Sequence, residues 1–156
     1  MAGNIVINKI TLGKVTIGPP PPGTPTNYVD NTYWEIWPVN NRGAWSVDRW
    51  VTDWKDDLNQ LKISPIGTWI EGLRPTSLTL VINHQLTDLG IGIYVRDTDN
   101  NTIGEWAPFP VSEAGQIEVP IPLTFVTTDI GLISITDWQY FEAKTLELIG
   151  IYFNGI

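Results

Sequence analysis

At 156 residues and 42% apolar content, the chain is long enough for one domain with a packed core plus an appendage, and too apolar to be disordered throughout. It has no cysteine, which excludes disulfides and cysteine-based zinc or redox chemistry, and no stretch approaches the roughly 18 uninterrupted apolar residues of a membrane helix. The net charge of -8 is uneven: residues 1–96 balance eight cations against eight acids, whereas residues 97–156 set nine acids against Lys144 alone. Phosphate neutralisation needs a basic patch, so the body is not expected to bind nucleic acid; the acidic part reads as a solubilising face.

The chain opens on an extended β-forming arm, residues 1–18. It carries two tandem pentapeptides, Lys9-Ile10-Thr11-Leu12-Gly13 and Lys14-Val15-Thr16-Ile17-Gly18. Ile10 and Leu12 share one strand face while Val15 and Ile17 have the opposite parity, so either Gly13 makes a bulge or the arm is apolar on both faces. A two-faced strand must be buried on both sides, which points to docking on another chain or a sister copy through Ile5, Ile7, Lys9, Ile10, Leu12, Lys14, Val15 and Ile17. The plainer alternative makes the arm the first strand of its own sheet. Four prolines, Pro19 to Pro22, stiffen a spacer over residues 19–27 and favour a polyproline II path. The first residues lack a basic segment followed by an apolar run, so no secretion signal is expected.

The body spans residues 28–156. Six of its tryptophans fall between positions 34 and 69. Ser46 is a suitable N-cap, and Val47, Trp50, Val51, Trp54, Leu58 and Leu61 recur at helical spacing, which predicts a short amphipathic helix from about 47 to 61. Aromatic stripes of this kind mark a buried face, so Trp50 and Trp54 are expected in the core rather than as a sugar platform. After Pro75 short strands are predicted over 77–83, 90–96, 102–106, 116–124, 131–136 and 145–153, each bounded by turn residues. Residues 97–101 read as a hairpin loop. Pro120 and Pro122 cannot donate to a neighbour, which marks their strand as an edge. The expected core is Trp50, Trp54, Leu80, Ile82, Ile93, Val95, Ile133, Ile135, Leu148 and Ile151.

Catalytic signatures are missing. Asp97, Asp99 and Asn101 have the spacing that opens a calcium loop, but Thr102 stands where glycine is needed and Pro108 where a bidentate Glu should be, so a hairpin turn explains them. His84 is the only imidazole and reads as a surface or core histidine. Asp88, Asp97, Asp99, Glu105 and Asp137 could each serve glycoside hydrolysis, and none is singled out. The expectation is a protein without catalysis, cofactor or metal.

The hairpin Ile93-Tyr94-Val95-Arg96-Asp97 to Ile103-Gly104-Glu105-Trp106, the strand Gln116-Ile117-Glu118-Val119-Pro120-Ile121-Pro122-Leu123 and the closing strand Leu146 to Phe153 resemble the jelly-roll carbohydrate-binding modules and the wider galactose-binding-like sandwiches. The resemblance implies a mainly β fold: an antiparallel two-sheet sandwich, carrying the short helix and the extended arm, with exposed aromatics stacking on sugar rings. The aromatics that suit this are Trp45 beside Asn40, Asn41 and Arg42, Trp106 beside Pro108 and Phe109, and Trp138 and Tyr140 beside Asp137. In organisation the chain also resembles phage head decoration and fibre proteins, compact sandwiches made in the host cytoplasm and docked through an extended arm. That likeness gives the leading expectation: a non-catalytic virion accessory protein that self-associates or binds other particle proteins. The alternative is a carbohydrate-binding module.

Overall fold

The computed structural model describes residues 25–38, 43–54, 60–85, 89–111, 115–125, 128–137 and 144–156. Among them run ten strands: β1 (Trp34–Ile36), β2 (Gly43–Ser46), β3 (Arg49–Trp54), β4 (Gln60–Pro65), β5 (Ser77–His84), β6 (Leu89–Asp97), β7 (Thr102–Val111), β8 (Gly115–Pro122), β9 (Ile130–Asp137) and β10 (Lys144–Asn154). They form two five-stranded antiparallel sheets, ordered β1-β4-β9-β6-β7 and β2-β3-β10-β5-β8. The sheets pack face to face as a jelly-roll-type sandwich. The docking residues expected between Ile5 and Ile17 lie outside the described residues.

Strict period-2 alternation builds the core. In β5, Leu78, Leu80, Ile82 and His84 are buried while Ser77, Thr79, Val81 and Asn83 face out; the lone histidine is thus a core residue, 2% exposed. Ile63, Ile93, Val95, Ile133 and Ile135 of the first sheet meet Leu80, Ile82, Leu148 and Ile151 of the second, all fully buried. Of the expected core, only the side chain of Trp54 lies outside the described set. Pro120 and Pro122 do sit on an edge strand, β8, exposed and paired on one side only, opposite Thr79 and Ser77. β7, the edge of the other sheet, carries Pro108 and Pro110, so both long edges are blunted against further pairing.

The helix expected over 47–61 is not formed at its described positions. Val47 and Asp48 are instead the two-residue turn of a hairpin in which Ser46 pairs with Arg49 and Trp45 with Trp50. Val47 takes φ 54° with its side chain 92% exposed. The stretch is rich in aromatic and β-branched residues that favour strands, and Trp50 and Thr52 are buried at period 2. The spacing Trp50, Val51, Trp54 mimicked a helical stripe because Val51 is half-buried on the other face of β3.

The segment before β1 is stitched to β10. The register of β10 shifts between Leu148 and Gly150, a β-bulge, and β3 pairs no further than Leu148. Asn27 fills the open side: its Nδ2 donates to the Ile149 carbonyl at 3.1 Å and its Oδ1 accepts from the amides of Ile151 and Val29, each at 3.0 Å. The Tyr28 amide donates to the Ile151 carbonyl at 2.8 Å. The Tyr28 ring stacks on Trp69 with centroids 5.4 Å apart, and Trp69 meets Trp34 edge-on, closing this end of the sandwich.

Candidate functional site

The outer face of the first sheet is a groove. Because side chains alternate, Gln60 and Lys62 of β4, Ser134 and Thr136 of β9, and Tyr94 and Arg96 of β6 all project away from the core. Register sets them in rows: Gln60 lies opposite Thr136, Lys62 opposite Ser134, Tyr94 opposite Ser134 and Arg96 opposite Leu132. Trp37, just beyond β1, donates its amide to the Lys62 carbonyl at 3.0 Å and is 39% exposed. These residues, with Asn100 and Leu132, line a cavity of about 420 Å³. A second cavity of about 480 Å³, sharing Trp37, Asn100 and Leu132, continues it past Thr98 and Gly131. Volumes of this size suit a ligand of several rings.

Trp37 and Tyr94 stand three strand spacings apart, roughly 14 Å. Between and beside them lie two primary amides, two hydroxyls, an ammonium and a guanidinium. Rings that offer flat faces, set among hydrogen-bonding groups, can hold a molecule with an apolar CH face and a rim of hydroxyls.

Arg96 is aimed by its own hairpin. It donates to Asn100 Oδ1 at 3.1 Å, and Asn100 adopts φ 70° in the β6–β7 turn. That turn is held by Asp97, whose Oδ1 accepts from the amides of Asp99 and Asn101 at 3.0 and 2.8 Å and whose Oδ2 accepts from Asn101 Nδ2 at 3.0 Å. Burial raises the Asp97 pKa, but the bonds from the Asn101 side chain and backbone outweigh it and hold the carboxyl below its ordinary value. The carboxylate of Asp97, the first position of the calcium-loop pattern, is thus engaged within the hairpin. Gly131 makes room for it, since a Cβ there would come within 2.8 Å of the Asp97 carbonyl oxygen. On the groove floor, burial and then the Arg96 charge hold the Lys62 amine below its usual value.

Of the aromatics expected to bind sugar, two lie among the described residues. Trp45 is half-buried, its ring edge-on to Trp50 with centroids 5.1 Å apart, and Trp106 is half-buried against the core, paired with Ile93. Neither is among the groove's lining residues. Trp138 and Tyr140 lie outside the described residues. The face-forming set of Trp37, Gln60, Lys62, Tyr94, Arg96, Asn100, Ser134 and Thr136 was not anticipated as a site.

No protein-family model and no curated protein sequence matches the chain. Solved structures do resemble it. A mutant family 29 carbohydrate-binding module aligns with a TM-score of 0.58 at 11% identity, covering 82% of this chain and 84% of that one. Another mutant of that family, in complex with cellulohexaose, aligns at 0.58 and 10% identity over 83% and 89%. A third, in complex with mannohexaose, aligns at 0.55 and 10% over 82% and 84%. The fold is that of these carbohydrate-binding modules.

Proposed function

We propose that this domain is a carbohydrate-binding module, taking a glycan chain along the outer face of its first sheet between Trp37 and Tyr94. The observation that carries the reading is the groove itself: two aromatics a short oligosaccharide's length apart, with amide, hydroxyl and cationic donors between them. The fold supports it, since the structurally similar modules are described with hexasaccharides bound. The lining also favours binding over hydrolysis, because among the described residues Asp97 is the single carboxylate lining either cavity and glycoside cleavage needs two. The particle-accessory reading ranks second: it was drawn from the arm and spacer, and the structural likeness is to carbohydrate-binding modules.

Affinity electrophoresis against a panel of soluble polysaccharides tests the reading. At least one should retard the protein. Trp37→Ala and Tyr94→Ala should each weaken that binding several-fold to about tenfold, the worth of one aromatic contact, with melting temperature unchanged. Retardation untouched by both substitutions would move the site off this face.

A further inference from the structure

We infer that the groove selects an acidic glycan, a uronate-bearing chain whose carboxylates sit against Arg96; this rests on the carbohydrate reading above. The chain holds only nine Lys and Arg against seventeen Asp and Glu, yet two of the nine line the first cavity of the groove, and among the described residues the single acid lining either cavity is Asp97. Lys62 and Arg96 rise from β4 and β6, on either side of β9, over Ser134 and Leu132.

The arginines make the contrast. Arg49 is paired with Asp48 at 2.7 Å and Glu147 at 3.2 Å, and Arg74 with Asp129 at 2.5 Å. Arg96, the third arginine among the described residues, is bonded instead to the neutral Asn100. A neutral acceptor orients the guanidinium and leaves its charge and remaining N–H groups available. A planar carboxylate matches that fork in two parallel hydrogen bonds, which no sugar hydroxyl can do. Other acids on this face are Glu35, opposite Ser64 on β1, and Glu105, opposite Tyr94 on β7; both are exposed, and neither pairs with Arg96. The carboxylate of Asp97 is taken by its own turn.

The full chain is assayed against polygalacturonate, dextran sulfate and neutral glucomannan by affinity electrophoresis at low and at about 0.5 M salt. Polygalacturonate is expected to bind about tenfold or more tightly than glucomannan, with the margin shrinking as salt rises. Arg96→Gln should remove most of that margin while glucomannan binding changes far less. Glucomannan bound as tightly as polygalacturonate by the unaltered protein would overturn the acidic assignment and leave the carbohydrate reading standing. Dextran sulfate bound as well as polygalacturonate would overturn the carboxylate assignment in favour of general anion capture. No polysaccharide bound at all would overturn both readings.

Discussion

Asn27 is the residue whose loss should be most visible in stability for the smallest change in shape. Asn27→Ala removes the carboxamide that plugs the β10 bulge, and with it the acceptor for the Ile151 amide and the donor to the Ile149 carbonyl. Ile151 is fully buried, so its amide has no ready access to water. A backbone group orphaned in this way costs about 1–3 kcal/mol, whereas the bonds of Val29 and Ile149, nearer solvent, are largely replaced by water. A net loss of about 2 kcal/mol, set against an unfolding entropy of about 2.1 cal/mol/K per residue over residues 25–156, lowers the melting temperature by about 7 °C. Calorimetry reads this directly, and amide exchange should show Ile151 losing protection. Asn27→Asp separates the contacts: it keeps the accepted bonds but turns a carboxylate toward the Ile149 carbonyl, a penalty that fades when acid protonates it. An Asn27→Ala protein melting within about 1 °C of the parent would show that the segment leading into β1 is only laid on the sandwich.

Two further outcomes are expected. The carboxyls of Asp129, held down first by Arg74, and of Asp97 have folded-state pKa values below the ordinary 3.8, so the stability they contribute is complete above that value and is lost as pH falls through the lowered ones; acid melting of an Asp97→Asn, Asp129→Asn double variant should show a flatter pH dependence below about pH 4 than the parent, and an equal slope would refute it. A chain lacking residues 1–22 should keep its melting temperature and its polysaccharide retardation, because the ten described strands make up two five-stranded sheets; unfolding would make the arm an internal strand after all.

The half of the fold after Pro75 was readable because each strand is bracketed by turn residues and alternates cleanly, as in Ser77–His84. The half before it was not. Trp50, Val51 and Trp54 satisfy both a strand and a helix, and only the partner strands, β2 and β10, decide between them. The groove was hidden for a related reason. Lys62, Ser134 and Tyr94 form one row, yet 72 positions separate the first two in the chain. Alternation tells which residues face out of each strand but not which strands adjoin. One signal was available: Trp34 and Trp37 have opposite strand parity, so both could not enter the same core, and Trp34 is the one fully buried.

Both sheets present polar outer faces, and what distinguishes them is where the hydrogen bonds go. On the second sheet, Glu147 of β10 accepts from Arg49 of β3 at 3.2 Å and from Asn83 of β5 at 2.8 Å, and Asn154 donates to Ser77 and Thr79. Those groups bridge neighbouring strands and satisfy one another, so a ligand arriving there would have to break as many bonds as it formed. On the first sheet, Arg96 is steadied from within its own hairpin by a neutral amide, and Trp37 and Tyr94 line the face beside it. The cost of holding Arg96 in place is met by the Asp97 turn during folding, which would leave less ordering to be done by the proposed ligand. The two faces thus differ in how their arginines are held, Arg49 by carboxylates and Arg96 by a neutral amide.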